Sequence, residues 1–306
     1  MSSPSSPTPA VSRALLHTVA KLHYENDMSQ VDVARQVGLS TATISRLLQR
    51  ARAEGIVRIE VRDLAAPEEL AAALAERLSL KSAAVVEATG VGALAFLGPP
   101  VGSLLQKAGL SEGSVVAIGW GRAVRAVIEA GLPEISGVLT VPATGGMQQH
   151  QPHFQINEFV RLAALQFGGS PRFVHAPYLP SPASRQAFLA DPVVADHVAL
   201  WDRVEAAIVG IGLPHETADA GTEHHPDAAG DVMRHYFDAE GALLDPEDAK
   251  SMIAMSVEQL RRASLVIGVA VGEAKARAIR GAAKAGLISA LVTDARTAEI
   301  LLELPA

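Results

Sequence analysis

The sequence predicts an α/β protein with two domains, a small N-terminal helical one and a larger Rossmann-like one built on a parallel sheet. Three observations predict it. Apolar residues recur at helical spacing through residues 14–55. Beyond residue 80, short apolar runs alternate with amphipathic stretches, the order of a sheet buried on both faces. The chain has 306 residues, and one hydrophobic core usually serves about 100–200.

The elements follow in order. Residues 1–10, MSSPSSPTPA, have the Ser/Pro composition of a disordered tail and lack the basic and apolar regions of a signal peptide. Residues 11–63 are expected to form the helical domain and residues 64–306 the α/β domain. Leu15, Val19 and Leu22 mark one face of a first helix, and Val33, Ala34 and Val37 one face of a second. Gly38 interrupts, and Ser40 is a good N-cap for a third helix carrying Ile44, Leu47, Leu48 and Ala51. Gly55 ends that helix as a residue free to turn left-handed, and Ile56–Val61 alternates like a strand. Glu68–Leu80 reads as a helix. Strands are expected at Ala83–Glu87, Ser114–Ile118, Gly137–Val141, Ala206–Ile211, Leu265–Val271 and Leu287–Val292. Helices are expected between most of them, for example Glu158–Phe167 and Glu273–Ala285.

Composition narrows the chemistry. Hydrophobic residues are 49% and charged residues 19%, the balance of a globular protein. With no cysteine, disulfides, thiolate catalysis and cysteine-bound metals are excluded. The most apolar run, Val91–Leu105, is broken by Gly98, Pro99 and Pro100, short of the roughly 18 apolar residues of a spanning helix, so we expect a cytoplasmic protein with no membrane contact. Residues 1–63 carry a net +2 while the whole chain is −7, so the basic character sits at the N-terminal end.

The two short helices joined around Gly38 have the spacing of a helix-turn-helix: Ala34 at the close crossing, a small turn residue, and Ile44 and Leu47 as anchors. The third helix then points Thr41, Ala42, Thr43, Ser45, Arg46, Gln49 and Arg50 outward. Short hydroxyls and an alanine let a helix sink into a major groove, methyls can touch thymine, and Arg can pair with guanine. Gln30 and Ser40 sit at helix N-termini, where amide and hydroxyl groups meet phosphate. A packing face would be apolar or lined with long Glu/Lys pairs. This constellation therefore points to operator DNA. Residues 14–62, with MSQVDVARQVGLSTATISRLLQRARAEGIVRIEV, resemble the N-terminal domain of the SorC family of sugar-responsive bacterial transcriptional regulators.

Three expected strands break into glycine: before Gly119-Trp120-Gly121-Arg122, before Thr144-Gly145-Gly146-Met147-Gln148, and before Gly212. Ligands of open α/β sheets bind beyond the carboxyl ends of strands, where glycine lets backbone N–H groups converge on a phosphate or polyol oxygen. A dinucleotide site is disfavoured, because Val124 stands where a third glycine would be.

The SorC resemblance continues through VVAIGWGRAVRAVIE, QINEFVRLAALQFGG, APYLPSPASRQAFLADPVV, AAIVGIG, AGDVMRHYFDAEG and the segment from Gly268 to Leu302, nearly the whole chain. It implies an effector domain like the sugar-phosphate isomerases and deaminases, with catalysis lost and ligand binding kept. It also implies an effector pocket lined by Gly119, Trp120, Gly121, Arg122, Ala123, Gly145, Gly146, Met147 and Gln148, with Asp231 accepting hydroxyl hydrogen bonds and Lys275 holding a phosphate or other oxygen. The implied assembly is a homotetramer, a dimer of dimers, on palindromic or direct half-sites. Two positions depart from the family. Ala123 stands where Thr is common, which opens the way to an unphosphorylated sugar or polyol, and Pro99-Pro100 falls inside a segment that is usually helical.

The remaining chemistry is sparse. Eight of ten histidines lie beyond residue 149, but His150/His153 and His224/His225 lack the helical spacing of a zinc enzyme, so no metal is expected. There is no Gly-x-Ser-x-Gly and no phosphate-loop lysine. The carboxylate pairs Asp227/Asp231 and Glu216/Asp219 read as solvated loop residues. We expect no catalytic residue and no cofactor. The alternative, an isomerase or deaminase fused to a DNA-binding domain, lacks an identifiable general base.

Overall fold

Hydroxyl caps and glycine stops decide where the N-terminal helices begin and end. The computed structural model describes residues 12–57, 66–146, 155–214, 227–244 and 251–305. The chain divides into two compact units, Met1–Leu64 and Ala65–Ala306. In the first, α1 (Arg13–Tyr24), α2 (Gln30–Val37) and α3 (Thr41–Ala53) open on the side chains of Ser12, Ser29 and Ser40, each accepting a backbone N–H of the first turn. Gly38 closes α2 at φ 73°, and Gly55 follows α3 at φ 71°. Leu16, Val19, Ala20, Val33, Ala34, Ile44, Leu47, Leu48 and Ala51 form its core. Ile56 and Val57 bend rather than pair, and the rest of the strand expected at Ile56–Val61 lies outside the described residues, as does the tail expected at residues 1–10.

The second unit opens on α4 (Pro67–Arg77) and builds a seven-stranded parallel sheet. Its strands are β1 (Ser82–Val86), β2 (Val115–Ile118), β3 (Leu139–Pro142), β4 (Ser170–Pro171), β5 (Val204–Gly210), β9 (Leu265–Val269) and β10 (Ala290–Asp294), in the order β1-β10-β9-β5-β2-β3-β4. The expected strand at Leu287–Val292 is therefore shifted. Leu287 and Ile288 belong to the buried approach to β10.

Alternate strand residues feed two cores, as period two requires. Val116, Ile118, Ile208 and Ile267 pack with α5 (Gly98–Lys107), α6 (Arg122–Ala130) and α7 (Ile156–Phe167). Val115, Ala117, Ala207 and Val266 pack on the other side with α4, α10 (Val257–Arg262), α11 (Ala276–Lys284) and α12 (Ala295–Glu303). Between β4 and β5 lie α8 (Pro182–Ala190) and α9 (Pro192–Ala199). Pro99 and Pro100 do not interrupt a helix; they start α5, where a missing N–H is harmless. The expected Glu273–Ala285 helix begins instead as a 3-10 turn, Glu273–Lys275.

A small antiparallel sheet, β6 (Gly230–Val232), β7 (His235–Phe237) and β8 (Leu243–Leu244), lies against α11. The approach needs small residues. A Cβ on Gly230 would stand 2.5 Å from the Ala278 methyl, and one on Gly281 2.7 Å from the Phe237 ring.

Candidate functional site

Two sites emerge, one on each unit. On α3, Thr41, Ala42, Ser45, Arg46, Gln49 and Arg50 are exposed, opposite the buried Ile44, Leu47, Leu48 and Ala51. Of the remaining sequence-predicted residues, Ser40 is also exposed, while Gln30 and Thr43 are half-buried. The Ser40 hydroxyl accepts the Thr43 N–H at 3.2 Å and shares a 2.8 Å hydrogen bond with the Thr43 hydroxyl, so both hydroxyls are committed to the cap. Arg50 donates to Glu54 at 2.6 Å, whereas among the described residues Arg46 makes no ion pair. Gln30 is half-buried at the first position of α2, just after the Ser29 cap.

The second site lies at the carboxyl edge of the sheet. From β2 the chain steps outward through β3 to β4; from β5 it steps the other way through β9 to β10. The order reverses between β2 and β5, where open α/β sheets place their ligands. Gly119–Ala123 follow β2, Gly145 and Gly146 follow β3, and Gly212 follows β5, so the structure brings the predicted loops together on three adjacent strands. Met147 and Gln148 lie outside the described residues.

The expected role of the glycine amides needs correction. Gly119 N–H donates to the Ile208 carbonyl at 2.8 Å, Gly145 to Ile253 at 2.7 Å and Gly146 to Ala176 at 2.8 Å. These amides complete the sheet edge and cannot also serve a ligand. What glycine supplies is close approach: a Cβ on Gly145 would lie 2.7 Å from the Ala176 carbonyl oxygen. Gly121, at φ 117°, precedes α6 in the left-handed region, and no side chain caps that helix. Trp120 is half-buried against the core, Ala123 is half-buried in the first turn of α6, and Arg122 is exposed.

Asp231 and Lys275 meet at the end of β5. Asp231 pairs through its backbone with Gly212, and a Cβ on Gly212 would fall 2.2 Å from the Asp231 Oδ1. The Lys275 Nζ donates to the Ile211 carbonyl at 2.7 Å. Asp231 is 5% exposed on β6, so it is neither a solvated loop carboxylate nor a helix cap. Its Oδ2 accepts the Arg234 N–H at 2.8 Å across the turn to β7. The partner acid Asp227 is exposed, and Glu216 and Asp219 lie outside the described residues.

Three residues of this edge were not singled out from the sequence: Arg234, Tyr178 and Asp294. Arg234 is 8% exposed, with its guanidinium carbon 5.5 Å from the centre of the Tyr178 ring. Tyr178 N–H donates to the Gly146 carbonyl at 2.7 Å. The buried Asp294 accepts the Gly272 N–H at 2.9 Å and both the hydroxyl and the N–H of Thr297, and so anchors the turn that carries Lys275. Asp294 was findable, since an Asp between an apolar strand and a helix reads as an N-cap; Arg234 and Tyr178 depend on contacts distant in sequence.

Among the described residues no cluster of His, Asp and Glu has the arrangement of a metal site, and no helix is long and apolar enough to cross a membrane. His150, His153, His224 and His225 lie outside them.

The comparisons match this architecture. Residues 62–303 match the family model described as "Putative sugar-binding domain", and residues 13–58 match a winged helix-turn-helix DNA-binding model. The sorbitol operon regulator of Klebsiella pneumoniae is 32% identical over 320 residues, covering 94% of this chain and 98% of that protein. The chain belongs to the SorC family of sugar-responsive transcriptional regulators. The crystal structure of that full-length Klebsiella SorC superposes with a TM-score of 0.70, again over 94% of this chain and 98% of the other. The deoxyribonucleoside regulator of Bacillus subtilis (strain 168) is 26% identical over 299 residues, covering 92% and 95%. As a SorC-family member the chain is a DNA-binding transcriptional regulator under the control of a small sugar-type effector, not an enzyme.

Proposed function

We propose that the exposed face of α3 reads operator bases, with Arg46 as its principal hydrogen-bonding side chain. We further propose that the effector sits at the carboxyl edge of β2, β3 and β5, between Asp231 and Lys275. One observation carries the effector reading. A buried carboxylate on β6 and an amine on the turn after β9 converge on the Ile211–Gly212 step, at the point where strand order reverses. An acceptor and a donor at one strand end suit a polyhydroxylated ligand, whose hydroxyls both donate and accept.

The effector is a sugar, polyol or sugar phosphate. The sorbitol operon of the Klebsiella relative makes sorbitol and its phosphate ester the first compounds to test. The protein acts in the cytoplasm as a homotetramer, a dimer of dimers, on palindromic or direct half-sites. Two half-sites multiply the affinity of a single helix-turn-helix. The effector regulates by binding the DNA-competent and incompetent assemblies unequally.

A thermal-shift screen of the full chain against sugars, polyols and their phosphates tests the reading, because a ligand of the folded state raises Tm by mass action. Lys275→Met is expected to abolish the shift and blunt operator release while leaving ligand-free DNA binding intact. An unaltered response in that variant would remove Lys275 from the pocket.

A further inference from the structure

We infer that the outer face of the helical segment from Gly90 to Lys107 is a two-fold contact between copies of this chain; this rests on the proposed homotetramer and names one of its faces.

The most apolar run of the sequence, Val91–Leu105, buries only one of its sides. Gly90–Phe96 form a 3-10 turn and α5 follows it, with Leu97 between them also helical at φ −73° and ψ −25°. Along this segment Ala93, Leu97, Val101 and Leu105 recur every four residues and are fully buried in the core shared with α6 and α7. Gly98 holds the segment close to α6, since a Cβ there would stand 2.5 Å from the Ala130 methyl. The other side presents Gly92, Ala95, Phe96, Pro99 and Ser103, all exposed at i, i+3, i+4, i+7 and i+11. Val91 is 78% exposed and Phe96 57%. An apolar stripe left open on a firmly packed element marks a contact surface.

Charge identifies the occupant. No charged residue stands between Glu87 and Lys107. Depletion of charge is the mark of the core of an interface, and it excludes an acidic or basic partner. The other exposed large apolar residues of this unit, Leu165, Leu179, Val193 and Leu243, stand apart from one another in the chain. Leu165 has the Glu158–Arg161 ion pair one turn away on α7, and Val193 stands beside the exposed Asp191. Among the described residues of this unit, the complement of the uncharged stripe is the same stripe on a second copy.

The ends of the stripe give the direction. Glu87 precedes it and Lys107 closes it, both exposed and neither in an ion pair among the described residues. A two-fold axis through its middle lays two copies head to tail and brings Glu87 of each towards Lys107 of the other, a charged rim around an uncharged core. Phe96 then stands near the axis, where the small Gly92 and Ala95 of the second copy leave room for its ring.

Sedimentation of the full chain over a range of concentrations tests the contact. Phe96→Glu is expected to weaken association by roughly 30-fold or more, lowering the mass at micromolar concentration from four to two times 31.9 kDa. Ala95→Arg is expected to do the same and serves if the first variant fails to fold. Lys107→Glu alone is expected to weaken association about two- to fivefold, and Glu87→Lys combined with it to restore the wild-type value. Wild-type mass in both Phe96→Glu and Ala95→Arg would overturn the proposal. An unchanged mass with a lowered Tm in Phe96→Glu would place the N-terminal unit over this face and overturn it equally. A double variant weaker than Lys107→Glu alone would overturn the head-to-tail arrangement. The wild-type mass separates the two readings. If the wild-type chain is a monomer, the homotetramer and the contact both fail; if it associates and the variants do too, the assembly stands and this face falls.

Discussion

Arg46 and Gly212 show how single residues set the two sites. Arg46 stands exposed on α3 while its neighbour Arg50 is held by Glu54, so Arg46 is the guanidinium available to a base edge. Arg46→Ala is expected to weaken operator binding by about 1–3 kcal/mol and to relax one base preference, read by fluorescence anisotropy at fixed salt. Equal affinity for matched and mismatched operators, before and after the change, would remove it from the recognition face. Gly212 has no room for a methyl beside the Asp231 carboxylate. Gly212→Ala should destabilise the fold by about 1–3 kcal/mol in urea unfolding, because either the carboxylate or the β5 end must move. Gly38, Ser40 and Gly55 were legible from sequence because caps and left-handed stops are local chemistry. The partners of Gly145 and Gly212 were not, since they lie about 30 and 20 residues away along the chain. The glycines drew attention for their amides, but the structure uses their lack of a side chain.

At the scale of elements, the β6–β7 hairpin carries a histidine whose burial ties stability to pH. His235 Nε2 donates to the Met255 carbonyl at 2.7 Å. Burial lowers its pKa below the ordinary 6.5, outweighing the Met255 carbonyl and the Glu258 carboxylate, which favour the proton. The folded protein thus holds this ring neutral, while the unfolded chain takes up a proton as pH falls below 6.5. The stabilising contribution is present above that pH and is lost below it. Denaturant unfolding at about pH 7.5 and about pH 5.5 should show lower stability at the acid value, and His235→Gln should flatten the difference. An equal pH dependence in the variant would clear His235 of the effect. Six of the seven main-sheet strands could be read from sequence because burial on both faces makes them continuous apolar runs, whereas the edge strand β4, only Ser170–Pro171, gave no such run. The hairpin could not. Its strands are three residues long, and what holds them is α11, about 40 residues further on. Pro99-Pro100 misled for a related reason: proline breaks a helix interior but favours a helix start, and sequence alone did not show which one this was.

For the whole molecule, the proposed tetramer is a statement about mass. Sedimentation of the full chain at micromolar concentration should give about four times 31.9 kDa. A monomer that binds a two-half-site operator no better than one half-site would end the dimer-of-dimers reading. The strand order of the α/β unit has a further consequence, for synthesis. β1 stands at the edge of the sheet and its neighbour is β10. Arg77, from the helix before β1, donates to the Leu304 carbonyl at 2.7 Å. The opening of this unit is thus fastened to the closing residues of the chain. On the ribosome, the segment from Pro67 to Val86 must wait for more than two hundred residues before its partner strand emerges. A premature stop just before Ala290 would leave β1 without its partner strand, yet would spare every residue of α1, α2 and α3. Such a product would carry an intact helix-turn-helix beside an effector domain that cannot complete its sheet.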